Sequence, residues 1–267
     1  MRHLFSLVTV AATLAAASVS AAEIYAGNVP LDTSVVIMGE AHDNALHHNN
    51  QGGWIERMRP AAVVFEMLPS DLGAIATEQA GAPADQLAEV LRWEARGWGD
   101  FALYAPVFDA AAGALIVGGE APQEMVAAAA NVGAWAAYGA EDPFDLSAKL
   151  APAQLDARID LQKDAHCGKL PEEMLPGMVE AQRLRDAWLA QAVLDAMKAT
   201  GGPVAVITGN GHARSDWGVP ALIEAARPEL TVTTIGQLSE PDSSAPYDYV
   251  VVTAPAARDS DPCETLR

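Results

Sequence analysis

The sequence predicts an α/β fold, a mainly parallel central sheet flanked by helices, with helical insertions capping the carboxyl edge of the sheet. Three observations carry that expectation. Short runs rich in β-branched residues are nearly continuous in apolar character, as in strands buried on both faces. Longer segments rich in alanine, leucine and glutamine lie between them, and 54 alanines in 267 residues suit helix-rich packing. The two kinds of segment alternate along the chain, as in parallel sheets whose strands are joined by crossover helices.

In chain order, residues 1–22 come first. Arg2 and His3 precede an apolar run over 4–17, and Ser18, Val19, Ser20, Ala21 and Ala22 follow. A charged start, an apolar stretch too short to span a bilayer and a small-residue exit predict a signal peptide cleaved after Ala22 or Ala21. The mature chain, 23–267, is then expected to be exported and soluble, and periplasmic in a Gram-negative source. The expected cleavage site carries no cysteine, so a lipid anchor of the bacterial lipoprotein type is not anticipated.

Strands are expected over 35–38, 61–65, 115–117, 204–208, 230–235 and 249–253. Helices are expected over 84–95, 123–138, 152–163 and 178–198, with a further helix opened by His47 and His48. The stretches of about 73–108 and 131–189 hold helices with no strand between them, so they are read as the insertions over the sheet edge. No repeat and no Pro- or Ser-rich linker divides 23–267, which is read as one α/β domain.

Sixteen basic against thirty-five acidic residues give a formal charge of −19 and a pI near 4.5. Such a chain repels phosphate backbones and anionic lipid, so nucleic acid is not an expected partner. Cys167 and Cys263 both fall in the exported part. In an oxidising compartment they pair and tether the tail; otherwise Cys167 is buried and Cys263 is a free tail thiol.

Chemistry is expected where apolar runs end in polar residues. The run at 35–38 leads into Gly39-Glu40-Ala41-His42-Asp43-Asn44, and 62–65 leads into Glu66-Met67. The run at 115–117 leads into Gly118-Gly119-Glu120, and 204–208 into Gly209-Asn210-Gly211-His212-Ala213-Arg214. In a parallel sheet these carboxyl ends share one edge, where such folds place ligands. His42 and His212 each close a Gly-x-x-His pattern. With Glu40 and Glu66 they make a nitrogen and oxygen set able to bind a divalent metal, with His42, Glu66 and His212 as ligands, or to act as acids and bases. One of His47 and His48 is expected to face the site and the other solvent. His166 is read either as a helix C-terminal residue before Gly168 or as a residue reaching over the sheet edge.

These stretches, with Gly97-Trp98, Tyr104-Ala105-Pro106, His166-Cys167-Gly168 and Gln182-Arg183-Leu184-Arg185-Asp186, together resemble the ChaN family of haem-binding uptake proteins. That family lies in the wider group of Tiki proteases and erythromycin esterases. The resemblance covers about residues 31–237. It implies an exported protein with haem as its cofactor. A homodimer and an outer-membrane or periplasmic haem transport component are the partners it points to. It also implies a tyrosine as haem ligand assisted by a histidine. Tyr104 is then the candidate, with Tyr138 second, and His48, His166 and Arg214 complete the expected haem-binding set. Arg214 or Arg185 is expected to balance the propionates. The competing expectation is a metal-dependent hydrolase, in which Glu40, His42, Glu66 and His212 are catalytic. A binding module for some other small ligand is the third reading.

Overall fold

In the computed structural model of the protein, which describes residues 21–265 apart from 140 and 259, the strands gather into one sheet. They are β1 (Ala22–Glu23), β2 (Val35–Glu40), β3 (Ala62–Phe65), β4 (Leu115–Gly118), β5 (Val204–Gly209), β6 (Val232–Leu238) and β7 (Tyr249–Val252). Their order is β1-β7-β6-β2-β5-β3-β4, and every pairing is parallel. Residues 1–20 of the expected leader lie outside the described residues.

The helices are α1 (Ala45–Met58), α2 (Ser70–Glu78), α3 (Ala84–Val90), α4 (Phe101–Ala110), α5 (Gln123–Val132), α6 (Ala134–Tyr138), α7 (Pro152–Ala165), α8 (Leu175–Thr200), α9 (Val219–Ala226) and α10 (Pro262–Thr265). Side chains alternate across a strand, so each strand serves two cores. Val36, Met38, Val63, Phe65 and Ile207 pack against Trp54, Leu72, Tyr104 and Phe108 on the α1–α4 side. Val35, Ile37, Val64 and Val206 pack against Val126, Leu184, Val193 and Ile223 of α5, α8 and α9 on the other. β2, β3 and β5 are buried at every position, which is why they read as continuous apolar runs.

Several boundaries differ from expectation for local reasons. The helix expected over 123–138 breaks at Gly133, whose φ of +93° leaves the helical region. The one expected over 84–95 stops at Val90, and Arg92 adopts a left-handed φ of +51°. β6 starts two residues late because Leu230 closes a turn onto the Arg227 carbonyl. The two strand-free stretches lie mostly against the sheet faces: α4 packs on one core and α8 on the other. Crossover helices run antiparallel to the strands they join, so the early turns of α4 and α8 stand beside the carboxyl edge.

Candidate functional site at the carboxyl edge

The connectivity makes a crevice. After β2 and β3 the chain turns to α1 and α2 on one face; after β4 and β5 it turns to α5 and α9 on the other. β5 lies between β2 and β3, so the connections diverge on both of its sides. Such a switch point opens a cleft beyond the strand ends. Glu40, His42, Glu66 and His212 gather there, as the strand-end pattern implied.

Glu40 ends β2 with its carboxylate buried. Its Oε1 accepts from the Tyr104 hydroxyl at 2.6 Å and from His42 Nδ1 at 2.8 Å, and its Oε2 lies 3.4 Å from His48 Nδ1. Burial opposes the charge, but the two imidazoles outweigh it and hold Glu40 down at about 2. His42 is desolvated, yet Glu40 and Glu66 lift it to about 9. Its ring lies edge-on to Trp98 at 5.2 Å, and its side chain is 39% exposed, whereas the other imidazoles of the cluster are buried. The ring lies on the backbone of Gly209, where an added Cβ would meet Nε2 at 3.0 Å.

Glu66 follows β3. Its Oε2 accepts from Thr208 Oγ1 at 2.6 Å and the Gly209 amide at 2.7 Å, and Oε1 faces His212 Nε2 at 3.3 Å. Despite burial, His212 and these donors keep Glu66 well below the ordinary carboxylate range. His212 Nδ1 donates to Asp186 of α8 at 2.6 Å, and Gln182 one turn earlier lies within 3.0–3.2 Å of the ring nitrogens. Burial opposes the imidazolium, but Glu66 and Asp186 raise it to about 10. Burial pushes the Asp186 carboxyl up.

Other expectations need correction. Tyr104 is fully buried on α4, its hydroxyl donates to Glu40, and burial beside carboxylates pushes its ionisation far above the ordinary phenol value. A ring held that way orients Glu40 and His42. Tyr138 packs between Phe144 and Trp188 on the opposite face. His48 is buried, with Nε2 on the His42 carbonyl at 3.0 Å and Nδ1 on Gln51 and Glu40, so it does not reach the cleft. His47 is buried too rather than solvent-facing: Nδ1 accepts from the Ala41 amide at 2.8 Å, and desolvation lowers its pKa to about 4. His166 ends α7, bonds the Gln162 carbonyl at 2.8 Å and precedes the left-handed Gly168, which is the helix-terminus reading.

Arg214 is paired with Asp216 and stacked on Trp217 at 3.9 Å, away from the cleft. Arg185 instead lines a cavity of about 360 Å³ with Glu66, Arg96, Trp98, Gln182 and His212. Among the described residues no three His, Cys, Asp or Glu side chains gather as a metal-binding set. His42, Glu66 and His212 spend their nitrogens and oxygens largely on neighbouring acids, amides and hydroxyls. Asp186 and Gln182 escaped the sequence reading as site residues. Their signal is an i, i+4 polar pair on α8, of which Asp186 lies on the buried stripe.

The profile of the haem-binding uptake family (Tiki superfamily, ChaN) matches residues 30–223. The chain belongs to the ChaN family of haem-binding uptake proteins. Among solved structures, this ChaN family member is similar to that of cofacial haem binding to ChaN of Campylobacter jejuni. Identity is 21%, covering 82% of this chain and 87% of the other at a TM-score of 0.63. A type III effector, HopBA1, is similar at 14% identity over 83% of this chain and 88% of its own, with a TM-score of 0.45. No curated protein sequence matches the chain.

Proposed function

We propose that this ChaN family member binds haem across the carboxyl-edge cleft with His42 offered to the iron, and that it works outside the cytoplasm. The observation that carries the reading is the state of His42. It is the half-exposed imidazole of the cluster, its Nδ1 is fixed by Glu40 and Tyr104, and Nε2 has no hydrogen-bond partner among the described residues. A histidine oriented by a carboxylate on its second nitrogen is the usual arrangement of a metal-ligating imidazole. Histidine is also a common axial ligand of haem. His42 would hold the iron through Nε2 and would have to give up the proton on that nitrogen, as imidazole ligands generally do.

The residues around His42 fit such a group. Trp98 supplies an aromatic wall, and Arg185 in the adjoining cavity supplies positive charge for propionates in an otherwise acidic protein. At about 360 Å³ that cavity is near the lower end of ligand pockets, roughly 300–1,000 Å³. A macrocycle held by His42, Trp98 and Arg185 would be larger than this cavity encloses, and a second copy of this chain is the cover we propose. Cofacial haem binding in the Campylobacter jejuni relative supports that arrangement.

Export through a leader over 1–22, with one α/β unit following, a periplasmic location and transfer of haem to a transport component belong to the same proposal. The Cys167–Cys263 disulfide supports an oxidising compartment. No helix among the described residues is long and apolar enough to cross a membrane.

Hydrolysis by the same cluster is less well supported. A histidine acting as general base must be deprotonated at working pH, whereas His42 and His212 are raised to about 9 and about 10. Titration of the protein with ferric haem, followed at the Soret band, tests the binding reading. Saturable binding is expected, with His42→Ala weakening it at least tenfold, about 1.4 kcal/mol, and Tyr104→Phe keeping the same spectrum. A phenolate charge-transfer band lost in Tyr104→Phe, with His42→Ala unchanged, would overturn it.

A further inference from the structure

Behind His212, on the far side of Asp186, lies a second cavity of about 210 Å³. Its walls come from 144–150, α7, α8 and Trp217, and none of the cleft residues other than Asp186 belongs to it. Two of its lining groups are incompletely satisfied. Arg158 is 8% exposed and Asp186 is 1% exposed, and Arg158 Nε and Asp186 Oδ2 are both buried without a hydrogen-bond partner.

Arg158 has no carboxylate within ion-pair distance among the described residues. Its guanidinium makes one long contact to the Trp217 carbonyl at 3.5 Å and lies 5.2 Å from the centre of the Trp217 ring. By contrast Arg183, in the same wall, is fully engaged by Glu180 and by the Leu146 and Ala148 carbonyls. A buried guanidinium with a free N–H calls for an anion, and a buried carboxylate oxygen with no donor calls for an N–H or O–H. A single bridging water needs only roughly 10–15 Å³ of such space, far less than this cavity offers.

We propose that this cavity is a second ligand site, taking a compact carboxylate that carries a hydroxyl or ammonium group beside it. The ligand carboxylate accepts from Arg158 Nε, and its hydroxyl or ammonium donates to Asp186 Oδ2. Trp217 covers the carbon skeleton, and the exposed Lys149 and Asp145 at the rim set one charge of each sign at the entrance. Asp186 also holds His212, so occupancy is felt at the cleft through one shared side chain. This site involves neither His42 nor haem.

Calorimetric titration of the full chain with lactate, alanine, propionate and lactamide tests it. Saturable one-to-one binding is expected for lactate or alanine. Propionate, which lacks the donor, and lactamide, which lacks the anion, bind at least tenfold more weakly. Arg158→Lys keeps the charge but removes Nε, and is expected to lose at least tenfold in affinity while haem titration is unchanged. Absence of saturable heat for both lactate and alanine at about 10 mM, the weak end of specific affinity, would overturn the proposal and leave a water-filled cavity. Equal affinity for lactate and propionate in the unaltered protein would overturn it as well, whatever the stability of the variant.

Discussion

Glu66 accepts from a hydroxyl, a backbone amide and an imidazolium at once, and His212 lies between two acids. The stability these groups contribute depends on pH in a definite direction. Glu66 is lowered from 4.5, so its contribution is complete above about 4.5 and is lost as pH falls below that. His212 is raised from 6.5 to about 10, so its contribution is complete below about 6.5 and is lost as pH rises toward about 10. The advantage of the native chain over Glu66→Gln in urea melts is therefore expected to peak between these limits, near pH 5–6, and to shrink on both sides. An advantage that grows steadily from pH 6 to 9 would contradict the pairing. At this scale the sequence was legible wherever a polar residue ended an apolar run, as with Glu40, His42, Glu66 and His212. Asp186 was not legible, because its partner His212 lies 26 residues away along the chain. The surroundings of Tyr104 were not legible for the same reason: His48 and Trp93 flank its ring, and its hydroxyl reaches Glu40 from 64 residues away.

Among the elements, β2 and β5 position the site through one close approach. Gly39 of β2 leaves room for the Asn210 side chain, which bonds both the amide and the carbonyl of Gln237 on β6. The Asn210 amide in turn donates to the Glu40 carbonyl at 2.9 Å. A Cβ on Gly39 would strike Asn210 Oδ1 and come within 2.9 Å of the Ile235 carbonyl, which is backbone and cannot swing away. Gly39→Ala is expected to cost about 1–3 kcal/mol in urea melts, the range for overpacking, and to weaken haem binding by displacing Glu40. A variant as stable as the native chain would remove this account of the glycine. Strand positions were legible because double-sided burial leaves a continuous apolar signature. Helix ends were less so: Gly133 and Arg92 break helices through backbone conformation, and alanine-rich composition carries no mark of where such a break falls.

Across the whole molecule, the tail closes the structure on itself. After β7, Thr253 meets His47, Ala254 accepts from Asn44, Arg258 pairs with Asp43, and Cys263 joins Cys167 over a separation of 96 residues. A cross-link of that span restricts the unfolded chain, and its loss typically costs about 2–4 kcal/mol. The double variant Cys167→Ser, Cys263→Ser is expected to be less stable by that amount, with haem binding kept because the cleft residues are untouched. Equal stability with and without reductant would show that the bridge does not form. The sequence presented the two cysteines but left their pairing open, since spacing along a chain does not state distance in space.

By itself, the sequence determined the α/β class, the gathering of Glu40, His42, Glu66 and His212 at the strand ends and the family, because these depend on local periodicity and on residues adjacent to apolar runs. Only the tertiary structure decided which groups are free to act. Burial and hydrogen bonding spend His48 and Tyr104 on Glu40 and place Arg214 against Asp216, while His42 is left oriented and open. The physical reason is that a side chain's availability is set by what surrounds it, and those surroundings come from α4 and α8, whose early turns the fold carries back to the ends of β2, β3 and β5.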